Sequence, residues 1–108
     1  ITYCFKQNKI KECVARNSLT EEFHSIPTDD DLYCYLRLED INELNEKSGL
    51  VREKIIAADG AADYIRRELN ALDEESFAWF IKYHLANCER PELLGASSHV
   101  VDILRNEK

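Results

Sequence analysis

Apolar residues recur along this chain at spacings of three, four and seven, and the period-two alternation of a half-buried strand is scarce. Tyr3, Ile10 and Val14 share one stripe of a first helix that runs to about Arg16. Ser18-Leu19-Thr20-Glu21 reads as a capping box restarting a helical turn that carries Leu19, Phe23 and Ile26. The first helix is therefore expected to bend or split near Asn17, and Pro27 ends it. Thr28 ahead of Asp29, Asp30 and Asp31 gives an N-cap with acids in the first turn, and Leu32, Tyr35 and Leu36 supply the inward face of a second helix. A third helix over 38–46 turns Leu38, Ile41 and Leu44 inward and Glu39, Glu43 and Glu46 outward, until Ser48-Gly49 interrupts it.

Residues 50–58 are helical by propensity and extend or follow the third helix. After Asp59-Gly60, Ala61, Ile65, Leu69 and Leu72 form the stripe of a fourth helix flanked by Arg66 and Arg67. Asp73-Glu74-Glu75-Ser76 is an acidic helix start, and Phe77, Phe80, Ile81, His84 and Leu85 follow at helical spacing as the clearest amphipathic signal in the chain, predicted to face the core. Pro91 suits the first position of a sixth helix carrying Leu93 and Leu94 and, past the weak point at 95–98, Val100, Val101, Ile103 and Leu104. No Asn-Gly or Asp-Gly hairpin turn stands between β-branched runs. The pattern predicts an all-α fold, a compact antiparallel bundle of six short helices with the first one bent or split.

With 108 residues the chain is expected to form one domain over 1–108, and the missing initiating Met points to a fragment of a longer protein or a processed chain. A composition of 44% hydrophobic and 32% charged residues, with three Gly and two Pro, is that of a helical globular domain. No apolar run approaches the length of a membrane span, and none resembles a signal peptide, so neither a membrane partner nor secretion is expected. Cys4, Cys13, Cys34 and Cys88 include no C-x-x-C pair and are expected as reduced thiols in the cytoplasm. The alternative is a secreted four-cysteine helical protein with two disulfides that binds a small ligand or receptor, and a free-thiol count separates the two.

Candidate chemistry changes this picture little. His24, His84 and His99 lie far apart without H-x-x-x-H or Cys pairing, and Asp29 to Asp31 lack a second acidic cluster nearby. No phosphate-binding glycine loop or nucleophile elbow is present, so neither enzymatic activity nor a cofactor or metal is expected. An isoelectric point near 4.9 lacks the electrostatic footprint of direct nucleic-acid binding.

Tyr64-Ile65-Arg66-Arg67-Glu68-Leu69, then Phe77-Ala78-Trp79-Phe80-Ile81, Leu85 and Pro91-Glu92-Leu93-Leu94, resemble a caspase recruitment domain of the death fold. Trp79-Phe80 is similar to the variants in RNA-sensing and Dicer-related helicases. The resemblance implies a module without chemistry of its own, which recruits another domain of its kind, with possible self-assembly, in innate immune, apoptotic or RNA-surveillance signalling. It also implies a basic surface on the first and fourth helices that meets an acidic surface on the second and third. The matching positions are Lys6, Lys9, Arg16, Arg66 and Arg67 on one side and Asp30, Asp31, Glu39, Asp40 and Glu43 on the other. Charge is distributed accordingly. Residues 1–16 carry four cations against one acid, and residues 17–46 nine acids against Arg37, within a net charge of −7. Affinity is expected to be salt-sensitive.

Overall fold

The computed structural model describes residues 2–107; the side chain of Tyr3, a member of the first predicted stripe, lies outside the described residues. Length predicts one domain, and the chain forms two compact units that divide between Arg37 and Leu38. Each is described by itself.

The first unit opens with α1 (Thr2–Lys6) and α2 (Ile10–Ala15). Asn8 and Asn17 interrupt the helical path with φ of 55° and 52°, left-handed values that Asn tolerates better than other non-glycine residues. The break at Asn8 brings two thiols together, with Cys4 Sγ 3.3 Å from Cys13 Sγ. No helix restarts after Asn17. The Thr20 hydroxyl of the expected capping box instead accepts from His24 N at 3.0 Å, Thr20 N donates to His24 O at 2.9 Å, and Leu19 pairs with Ser25 in an isolated antiparallel bridge. The predicted second helix is absent as well. Asp31 turns its carboxylate back onto Thr28 N at 2.7 Å and its own N–H onto Thr28 O, which closes one turn and propagates no further. Leu32, Tyr33 and Tyr35 are left exposed, and Arg37 donates to Glu22 O.

The second unit contains α3 (Leu38–Ser48), β1 (Val51–Ala57), α4 (Arg66–Asn70), α5 (Glu74–Asn87), a 3-10 turn (Pro91–Ala96) and β2 (Val100–Arg105). Gly49, at φ 71°, ends α3, a conformation suited to glycine. β1 and β2 then pair antiparallel from Ala57↔Val100 to Lys54↔Ile103; Glu53 is the extra residue of a bulge, and Arg52↔Leu104 and Val51↔Arg105 follow. Arg52 uses the bulge to reach across. It forms a two-pronged pair with Asp102, both contacts 2.7 Å, and donates to Asn42 Oδ1 of α3 at 2.8 Å. One guanidinium thus ties both strands to the helix before them. Ala57 and Leu94 are the buried apolar side chains among the described residues, where β1 meets the 3-10 turn.

The all-α six-helix bundle is thereby corrected to a mixed α/β fold. Residues read as a continuation of the third helix form β1, and the second half of the expected sixth helix forms β2. Val51, Ile55 and Ile56 of β1, and Val100, Val101 and Ile103 of β2, are β-branched, with Ile56 directly opposite Val101, and such side chains gain more on a pleated surface than in a helix. The fourth helix shortens to one turn and a half, because 60–65 are turns. No helix among the described residues is long and apolar enough to cross a membrane.

Candidate interaction surface

Helix α5 is the longest element of the chain, and its start is well determined. The carboxylate of Asp73 accepts from Ser76 N at 2.7 Å as an N-cap, and Glu74 and Glu75 occupy the first turn, where the helix dipole favours acids. The Ser76 hydrogen bonds, backbone first and hydroxyl second, hold the Asp73 carboxyl below its ordinary range.

The inward side of this helix is narrow. Phe80 stacks on His84 with ring centroids 6.3 Å apart and planes 18° apart, and Phe77 meets Phe80 at 6.2 Å. Below them lies a cavity of about 60 Å³ lined by Ala57, Gly60, His84, Cys88 and Leu93 among others. Gly60 has φ of 58°, and a Cβ there would come within 2.9 Å of His84 Nδ1, so the imidazole occupies space that only glycine leaves open. His84 is a packed side chain on the inner face, as its spacing implies.

Its outward side is apolar too. Trp79 is 63% exposed, Tyr83 57% and Leu85 68%, with Ala78, Ile81 and Ala86 exposed around them. Lys82 lies among them, with Nζ 4.7 Å from the Trp79 ring centroid. A helix apolar on every side is normally enclosed on every side. Leu85, Ile81 and Phe77, read from the sequence as core residues, are largely on the surface, and only Phe80 and His84 of that set turn inward. The signal was present in the sequence, since between Phe77 and Ala86 only Lys82 and His84 are polar, which leaves no broad polar face.

A second cluster stands where the turn after β1 meets the segment before β2. His99 Nδ1 lies 2.5 Å from Asp59 Oδ2, and Asp63 completes a group whose ligand atoms all fall within 4.8 Å of one another. Two carboxylates and an imidazole are a donor set for a divalent cation, and sequence spacing missed them because 40 positions separate Asp59 from His99. These groups already satisfy one another. Asp63 accepts from Arg66 at 2.6 Å, and the Ser98 hydroxyl, ahead of Arg66, keeps its carboxyl below the ordinary range. Ser97 Oγ accepts from Asp59 N at 3.1 Å and Gly60 N at 3.0 Å and donates to His99 O at 2.6 Å, so the cluster serves to close this end of the sheet.

The charged positions carried over from the death-fold resemblance are scattered. Lys6 ends α1, Lys9 and Arg16 flank α2, and Asp30 and Asp31 lie in the turns that follow, all in the first unit. Arg66 and Arg67 on α4 and Glu39, Asp40 and Glu43 on α3 belong to the second unit. Arg66 pairs with Asp63 and Glu43 with Lys47 at 2.7 Å, so local contacts use part of each set. Lys6, Lys9 and Arg16 share their unit with Asp30 and Asp31; the acidic third helix forms as α3, while the second helix is absent and the fourth is short.

No protein-family model, no curated protein and no solved structure matches this chain.

Proposed function

We propose that this protein is a protein–protein interaction module acting in the cytoplasm, and that the outer face of α5 is its contact surface. The observation that carries the reading is the exposure of Trp79, Tyr83 and Leu85 on the two flanks of a helix that packs along its Phe80–His84 edge. Scattered exposed apolar residues are ordinary, but an aromatic pair, Trp79 and Tyr83, and an aliphatic pair, Ile81 and Leu85, each one turn apart on the two flanks of one helix, make a surface of the kind that binding covers. The reading keeps the class of function that the sequence suggests and moves it from charged faces to an apolar one. Neighbouring free thiols at Cys4 and Cys13 fit a reducing compartment.

The test is to replace Tyr83 with the photo-cross-linking residue benzoylphenylalanine and irradiate the chain in its native extract. Adducts should form that an excess of the unmodified chain competes away and that the Trp79→Asp/Leu85→Asp variant does not. If residue 83 yields no adduct of any size, or adducts insensitive to that competition, the reading fails.

A further inference from the structure

The outer face of α5 has a feature that its exposure alone does not require. Viewed opposite Phe80 and His84, the midline of the face runs through Glu75, Ala78 and Lys82, with Trp79, Tyr83 and Ala86 on one flank and Ile81 and Leu85 on the other. In two antiparallel copies of a helix, positions equidistant from the twofold axis face one another. With the axis between Ala78 and Trp79, Glu75 of one copy falls opposite Lys82 of the other, and the reverse contact repeats it. Ala78 falls opposite Trp79, so a small side chain receives a large one on both sides of the axis.

We propose that α5 pairs with α5 of a second copy of this chain, antiparallel about a twofold axis between Ala78 and Trp79. The proposal rests on the interaction reading above and names its partner. Three properties support it. Among the described residues Glu75 has no cationic partner and Lys82, set over the Trp79 ring, no anionic one, so both charges remain to be matched. The match is self-complementary, as an isologous interface requires, because each helix supplies the acid of one ion pair and the cation of the other. Antiparallel alignment also sets the positive N-terminal end of each helix dipole beside the C-terminal half of its mate. A single helix pair buries less than a standard interface, so a weak, concentration-dependent dimer is expected, with a dissociation constant on the order of 10–100 μM.

Charge reversal tests the pairing directly. Sedimentation equilibrium of the full chain, from micromolar to millimolar concentration, should show a monomer–dimer equilibrium. Glu75→Lys sets two lysine–lysine contacts in the dimer, and Lys82→Glu sets two glutamate–glutamate contacts. Each variant alone should self-associate about tenfold more weakly or worse. An equimolar mixture of the two variants should associate again, because every contact in the mixed dimer is once more opposite in sign. Both positions are exposed, and unchanged far-UV circular dichroism would confirm that the fold is kept. A wild-type chain that stays monomeric throughout, or single variants that dimerise like wild type, or a mixture that fails to recover association, each overturns the proposal. If the chain is monomeric and yet benzoylphenylalanine at residue 83 is specifically captured by a different protein, the second copy is excluded while the interaction reading stands.

Discussion

Cys4 and Cys13 sit in separate helices, and the left-handed Asn8 between them sets their sulfur atoms 3.3 Å apart. The hydrogen bond between the two sulfurs, more than burial, pushes the Cys13 thiol up, so Cys13 stays protonated at neutral pH and reacts slowly. Oxidised glutathione should still close a disulfide between them. A thiolate attacks the glutathione sulfur and releases one glutathione; the second cysteine displaces the other, and two thiols have become one disulfide. Peptide mapping should find Cys4 linked to Cys13 with the loss of two hydrogen atoms, Cys34 still open to alkylation, and faster closure as pH rises. Persistence of all four thiols under excess oxidised glutathione at alkaline pH would show that the two sulfurs do not meet in solution. None of this was readable from spacing, because two cysteines nine positions apart on one continuous helix would point away from each other. The turn at Asn8 decides the matter, and an Asn in the left-handed region carries only a weak sequence signature. His84, by contrast, was legible, since its place on the inner stripe follows from its interval to Phe80 alone.

At the scale of elements, α5 and α3 were the most readable, each with a clear beginning or end. Asp73 starts the one and Ser48-Gly49 stops the other. The cap on α5 makes a definite statement about pH. The Asp73 carboxyl is depressed in the folded chain relative to about 3.9 for a free aspartate. Its contribution is therefore complete above that value and is lost as pH falls through the lower, folded-state value. Thermal melts followed by circular dichroism should show stability dropping as the pH is lowered below about 4. Asp73→Asn, which still caps but does not titrate there, should flatten that part of the profile, and Asp73→Ala should lower the melting temperature at every pH. An Asn variant with the wild-type acid slope would assign the slope to other carboxylates. The strands were misread for a specific reason. β1 ends beside Asp59-Gly60, a proper turn signal, yet no second strand follows it. Its partner begins at Val100, and a pairing that distant leaves no local mark except β-branched residues, which short helices also contain. The weak turns at 16–37 failed differently, because Thr20 and Asp31 can cap a helix or close a loop and here do the latter.

For the whole molecule, charge sets how copies approach one another. Net charge is −7, and the portion from Leu38 onward carries most of it, with nine Lys and Arg against fifteen Asp and Glu, a net of −6. Two copies therefore repel at long range even where Glu75 and Lys82 attract in contact. The screening length shrinks from about 30 Å at 0.01 M salt to about 8 Å at 0.15 M, which removes the distant repulsion more completely than an ion pair partly shielded by Trp79. Self-association should therefore strengthen over that range, and sedimentation at the two salt levels measures it. A marked weakening would mean that ion pairs dominate the contact and that its apolar part contributes little. The sequence carried the acidity, which bears on how the chain meets a partner. It did not carry the surface itself, because periodicity identifies which residues are apolar and not which of two apolar sides the rest of the fold will cover.

The antiparallel ladder has one more consequence, for the order in which the chain is made. Forty-two residues separate the end of β1 from the start of β2. At ordinary rates of translation that stretch takes roughly 2–8 s to emerge from the ribosome, during which Val51, Ile55 and Ile56 wait without their complement. The clamp from Arg52 to Asp102 closes only when β2 arrives, so the sheet cannot assemble before that point in synthesis. Until then the nascent chain offers an unmatched apolar strand to whatever chaperone stands at the tunnel exit.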